Sequence, residues 1–157
     1  MERLAYDIVA VDERDHPFRD GAVELLVQFF NEEGFTTQRG RIAANIDTMI
    51  GDDTCWVAVM VMGNRPVGIV TVTTMLYVEW GRLAEIGDLY IVLDFRGRGF
   101  ARRLVGAAID WARQRGCTGT FVTLAPEGEA RHELSRFYGR LNFRATGRTT
   151  MVHTAPA

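Results

Sequence analysis

Between Ala84 and Leu124 an apolar run, "AEIGDLYIV", passes through "LDFRGRG" into an amphipathic stretch and out again into "GTFVTL". The order strand, helix, strand leaves few topologies open. From Ile86 to Leu124 it reads as a β-α-β unit, whose crossover is expected to be right-handed and whose strands are expected to be parallel. Phe100, Leu104, Ala108 and Trp111 share one helical stripe. Gly116 is well placed to end that helix.

The rest of the chain has to complete a sheet around this unit. Leu4–Val11 is rich in β-formers. A helix fits Phe18 to Glu33, with Val23, Leu26, Phe29 and Phe30 on one face and "HP" just before it. Ile42, Ile46, Met49 and Ile50 mark a second amphipathic helix, which Thr36 or Thr37 is able to cap. "TCWVAVMVM" and "VGIVTVTTMLYVEW" are joined by "GNRP", a hairpin signal. The second of these runs is apolar on both faces, as a strand covered on two sides would be. A last helix carries Ala130, Leu134, Phe137, Tyr138 and Leu141, and "TGRTTMVH" is expected to close as a strand. The expected fold class is α+β: a mixed, mostly antiparallel sheet with one parallel β-α-β unit and helices on both faces. No linker or repeat divides residues 1–157, which read as a single domain with a tail at 153–157.

Residue usage excludes several chemistries. All 18 basic residues are Arg, so a Schiff-base lysine and a phosphate loop ending in Gly-Lys are out. Ser135 stands in "ELSRF", which rules out a GxSxG hydrolase. His16, His132 and His153 lack metal-ligand spacing, and no metal is expected. Cys55 and Cys117 are isolated, so neither a disulfide framework nor a CxxC site is indicated. A net charge of −2 argues against a nucleic-acid binder. No apolar window is long enough for a membrane span, and no signal peptide is read at the start; a cytoplasmic location is the default expectation.

The turn itself suits an anion. Gly97 and Gly99 let backbone approach a ligand and adopt positive φ. A helix opening near Gly99 aims its first N–H groups and its positive dipole end at the turn. Arg96, Arg98, Arg102 and Arg103 add forked donors suited to phosphate, and a diphosphate is the natural guest. A dinucleotide fingerprint fails here, because its third glycine would fall at Arg102 and no acid ends the next strand.

"RGRGFA" (Arg96–Ala101) resembles the R/Q-x-x-G-x-G/A signature of the GNAT superfamily of acyl-CoA N-acyltransferases. "LYIVLDF" is similar to the segment that precedes the signature in that family, with Leu93 in place of its usual Pro. "RHELSRFYGRLNF" is similar to the family's helix ending F-Y-x-x-x-G-F, with Asn142 in place of Gly. Asn tolerates the left-handed helix stop next best after Gly. The match is specific over about Ala84–Phe143.

The resemblance implies acetyl-CoA as cosubstrate, a primary amine of a small molecule or peptide as acceptor, and transfer by direct attack. It implies pantetheine pairing with strand backbone at Leu89, Tyr90 and Ile91. It implies diphosphate contacts along Arg96, Gly97, Arg98, Gly99, Phe100, Ala101 and Arg102. Tyr138 matches the family's general-acid tyrosine, and a core tyrosine fits the same stripe. Two carboxylates on the strand, Glu85 and Asp88, are candidates for the general base. Glu85 stands eleven residues before Arg96, the offset of the base in histone acetyltransferases of the superfamily. A regular strand would put these two acids on opposite faces, and a bulge at Gly87 would bring them to one side. Either acid is equally able to pair with an Arg on the sheet. Freeing the lone pair of an amine of pKa ~10 at pH 7 costs about 4 kcal/mol, so a base is useful. Glu32, Glu33, Asp52, Asp53 and Glu79 would suit a cationic acceptor, and are equally what solvated loops display. A homodimer is implied by resemblance alone. The alternative from another class is a non-catalytic CoA sensor or partner-binding module.

Overall fold

β-branched runs build the centre of the molecule. The computed structural model describes residues 5–156. Among these, β1 (Asp7–Ala10), β2 (Cys55–Met62), β3 (Arg65–Tyr77), β4 (Gly81–Ile91) and β5 (Gly119–Val122) form one sheet in sequence order. The first four strands are antiparallel and β4–β5 is the parallel pair. Leu4, expected to open the first strand, lies outside the described residues. The chain divides into two compact units, one ending at Thr123 and the other starting at Leu124.

In the first unit, alternation sorts side chains to two faces. Val57, Val59, Val61, Ile69 and Tyr90 pack with Val23 and Leu26 of α1 (Arg19–Glu32) and Ile42 and Ile46 of α2 (Arg39–Ile50). The even-numbered neighbours on β2 point the other way, where Trp56 stacks on Trp111 of α3 (Phe100–Gln114) at 5.6 Å. β3 lies between the layers, and Val67 to Val72 are buried without interruption. Each large apolar side chain buried there contributes roughly 1.5–3 kcal/mol. The β2–β3 hairpin turns at Gly63-Asn64, with Gly63 at φ 61° as a two-residue turn requires.

Polar groups set the helix positions. Phe18 N–H donates to His16 Nδ1 at 3.1 Å just before α1, which fixes the entry into the helix, although α1 has no side-chain cap bond. Arg19 donates to both oxygens of Asp47, at 2.9 and 2.7 Å, and so clamps α1 to α2. Neither Thr36 nor Thr37 caps α2. Gln38 takes the N-cap position with no side-chain cap bond.

The second unit departs from expectation twice. The single last helix is two, α4 (Pro126–His132) and α5 (Leu134–Gly139), because Glu133 adopts φ 48° and ψ 49°. Glu129 accommodates the break by accepting from Ser135 N–H at 2.7 Å and from the Ser135 hydroxyl, so its carboxylate serves the start of α5. The strand expected at "TGRTTMVH" does not form. Met151 and Val152 stay 90% and 81% exposed, so no burial stabilises a ladder there. The helix stop at Asn142 is as expected, with φ 68° and Phe143 N–H donating to Tyr138 O at 3.0 Å.

Candidate active site

β4 changes partner along its length. Against β3 it is paired from Gly81 to Ile91. Against β5 the ladder runs only from Leu83–Gly119 to Ile86–Val122. Gly87 to Ile91 therefore extend beyond the β5 ladder, and Ile91 O accepts from Arg96 Nε at 2.8 Å instead of from a strand. This stretch includes Leu89, Tyr90 and Ile91.

Beyond Ile91 a short 3-10 turn, Leu93–Phe95, leads into the arginine turn. Gly97 and Gly99 have φ 73° and 77°, which side chains other than glycine rarely adopt. A Cβ built at either would meet nothing within 4 Å, so the turn opens outward. Arg103 N–H makes the first helical bond, to Gly99 O at 3.2 Å. The N–H groups of Phe100, Ala101 and Arg102 precede it and have no helical acceptor. No acid lies in the first turn of α3. Two glycines in the left-handed region, three free-standing amides and a positive helix end form a donor set that fits a diphosphate.

The arginines divide their roles. Arg102 is exposed at the turn. Arg98 donates to Asp94 O at 3.2 Å and lies over the Phe95 ring. Arg103 donates to the Tyr6 hydroxyl and lies over its ring, which is itself in contact with Phe100. Arg96 turns back toward β4: its Nε donates to Ile91 O at 2.8 Å and its Nη2 to Glu32 at 2.7 Å.

The bulge at Gly87 is present. Thr71 pairs with Asp88 and Val72 with Ile86, leaving Gly87 as an extra residue on β4. Glu85 and Asp88 consequently share the face that carries Ile69, Thr71 and Thr73. Thr71 Oγ1 donates to Asp88 at 2.6 Å, and Thr123 Oγ1 donates to Glu85 at 3.0 Å. Burial pushes the Asp88 carboxyl up, the Thr71 hydrogen bond opposes this, and the neighbouring Glu85 charge adds to the rise. The two threonines were not foreseen as partners. Thr71 had a signal, the polar alternation within "TVTT" that marks one face of β3 as hydrophilic in a buried strand; Thr123, just after β5, lies outside that run.

A groove of about 680 Å³ lies between α1 and α2, lined by Phe30, Thr36, Thr37, Gln38, Arg41 and Asn45. It shares no residue with the arginine turn. An aromatic chain links it to β4, since Phe30 contacts Phe29 and Phe29 contacts Tyr90, at 5.3 and 5.5 Å. Of the acids expected near a mouth, Glu32 is engaged by Tyr90 and Arg96, and Asp52 accepts from Thr54. Among the described residues there is no group of three His, Cys, Asp or Glu able to hold a metal, and no helix is long and apolar enough to cross a membrane.

In the second unit, Tyr138 is buried, with the Phe143 ring at 5.2 Å. Burial pushes its hydroxyl up to about 12.

Residues 19–143 match the model of the Acetyltransferase (GNAT) family. The chain belongs to that family. A curated relative of this GNAT protein, an uncharacterized N-acetyltransferase of Methanocaldococcus jannaschii, is 32% identical over 84 residues, covering 52% of this chain and 36% of that protein. Among solved structures, a possible acetyltransferase from Clostridium difficile 630 superposes with a TM-score of 0.83 at 13% identity, covering 97% of this chain and 99% of that one. An aminoglycoside N-acetyltransferase in complex with CoA gives 0.79 at 16% identity, over 98% and 97% of the two chains. A transcriptional regulator from Bacillus halodurans C-125 gives 0.79 at 22% identity, over 96% and 100%. At these identities the likeness is one of fold.

Proposed function

We propose that this GNAT protein is an N-acetyltransferase that moves an acetyl group from acetyl-CoA to a primary amine by direct attack. The observation that carries the reading is the end of the β4–β5 ladder at Ile86–Val122, with the left-handed glycines Gly97 and Gly99 opening α3 beyond the end of β4. Acetyl-CoA supplies the acetyl group already activated as a thioester.

Each residue set has a task in this reading. The amides of Gly97 to Arg102 hold the diphosphate, with Arg98 and Arg102 adding charge at the rim. Backbone groups of Leu89, Tyr90 and Ile91 pair with the pantetheine arm, and one strand N–H polarises the thioester carbonyl. Glu85 accepts the proton of the attacking amine, with Asp88 as the second carboxylate on the same face. Tyr138 donates its proton to the departing sulfur; a phenol pushed up to about 12 keeps that proton through the neutral range. The named neighbour acting on aminoglycosides supports a small-molecule amine acceptor. A cytoplasmic location and a homodimer belong to the same reading, and sedimentation of the purified chain tests the second.

Calorimetry with acetyl-CoA on the wild type and on Gly99→Asp tests the cofactor site. The aspartate places a side chain and a negative charge where the diphosphate lies, so binding should be lost. Equal binding by the two proteins would overturn the reading. Binding by the wild type without turnover across a broad amine panel would favour the CoA-sensing alternative.

A further inference from the structure

Two groups distant from Glu32 in sequence meet at its carboxylate. The Tyr90 hydroxyl donates to its Oε1 at 2.6 Å, and Arg96 Nη2 donates to its Oε2 at 2.7 Å. The Arg96 guanidinium also lies over the Tyr90 ring, 5.4 Å from its centroid, while Nε donates to Ile91 O at 2.8 Å. Glu32 closes α1, and one turn earlier Phe29 rests on the Tyr90 ring at 5.5 Å. One carboxylate thus ties the end of α1 to the end of β4 and to the first residue of the arginine turn.

This arrangement changes what Arg96 does. Its guanidinium has a carboxylate, a carbonyl and an aromatic face as partners, all on the β4 side. Its charge is matched by Glu32, so the field offered to an anion at the turn comes from Arg98, Arg102 and the α3 end. Burial and the bond to Glu32 push the Tyr90 hydroxyl up to about 12, so it remains a donor. Preorganised donors bind an anion without a reordering cost at the moment of binding, and a turn of two glycines has little stiffness of its own.

We propose that Glu32 is a positioning residue for the cofactor site: by holding Tyr90 and Arg96 together it sets the geometry in which the Gly97–Gly99 amides face a diphosphate. The proposal rests on the reading of that turn as the CoA site. Glu32→Gln keeps an oxygen for Tyr90 but loses the second acceptor and the charge, and its amide nitrogen opposes the Arg96 donors. Arg96→Gln removes the same contact from the other end.

Calorimetry with CoA on the wild type, Gly99→Asp, Glu32→Gln, Arg96→Gln and the Glu32→Gln/Arg96→Gln double variant decides the matter, with thermal melts alongside. We expect Gly99→Asp to abolish binding, each single variant to weaken it about tenfold, and the double variant to be no weaker than either single, as for groups that act as one unit. If Glu32→Gln binds CoA like the wild type while Gly99→Asp does not, the positioning role is wrong and the cofactor site stands. A lowered Tm with unchanged CoA affinity has the same meaning. Additive losses would make Arg96 an independent phosphate ligand and also overturn the proposal. No binding by the wild type would remove the cofactor reading, and this proposal with it.

Discussion

Glu85 and Asp88 present their carboxylates to one face of the sheet although three positions separate them on β4. The cause is Gly87, an extra residue that β3 does not match: Thr71 lies opposite Asp88, and Val72 opposite Ile86. Two acids are thereby brought near one another beside a strand end that β5 does not cover. One of them, Asp88, is buried enough to hold its proton more tightly than usual.

That raised proton affinity predicts a pH-dependent stability. A carboxyl held more tightly in the folded state contributes stability that is fully present below its ordinary value of 3.8 and is lost as pH rises through the raised value. Asp88→Asn keeps the shape and an oxygen for Thr71 but carries no charge. It should melt above the wild type at pH 7 and show little difference near pH 3.5. Melts across that range check this, and a constant offset at every pH would contradict it.

Gly87→Ala tests the bulge. An added Cβ would stand 3.2 Å from Thr71 Oγ1, closer than is comfortable, and would press on the Thr71–Asp88 hydrogen bond. A loss of about 1–2 kcal/mol in urea unfolding is expected. Wild-type stability would mean that the bulge absorbs a methyl group without moving its neighbours.

Glu85→Gln separates the two acids in catalysis. With Glu85 as base, kcat should fall about 10²-fold at saturating acetyl-CoA, with cofactor affinity nearly unchanged. If Asp88→Asn shows this behaviour and Glu85→Gln does not, Asp88 is the base.

With Tyr138 as the general acid, Tyr138→Phe should lower kcat by about tenfold or more while CoA binding stays near normal. With its hydroxyl pushed up to about 12, Tyr138 should cause no loss of wild-type activity as pH rises from 7 to 9. An unchanged kcat in the variant would leave Tyr138 as a packing residue beside Phe143.

Much of the fold was legible because the rules that write it act over a few residues. The stripe Phe100, Leu104, Ala108, Trp111 made α3, the glycines at 97 and 99 made a left-handed turn, and Asn142 stopped a helix in the glycine manner. The bulge at Gly87 was legible as a possibility, since a residue without Cβ inside a strand is where a ladder slips most easily. The last helix misled because apolar spacing says nothing of a single backbone residue; Glu133 enters the left-handed region and Glu129 serves the restart.

By itself, then, the order of amino acids determined most of the elements, the left-handed glycine turn before α3 and the candidate carboxylates, through periodicity and backbone preference within one or two turns. Only the tertiary structure decided that Glu32 joins Tyr90 and Arg96 across separations of 58 and 64 residues, and that the β4–β5 ladder ends at Ile86–Val122. Likewise, "TGRTTMVH" does not become a strand, because extended backbone needs a paired edge and a buried face. Partners of this kind depend on where distant segments pack, and no local pattern carries that information.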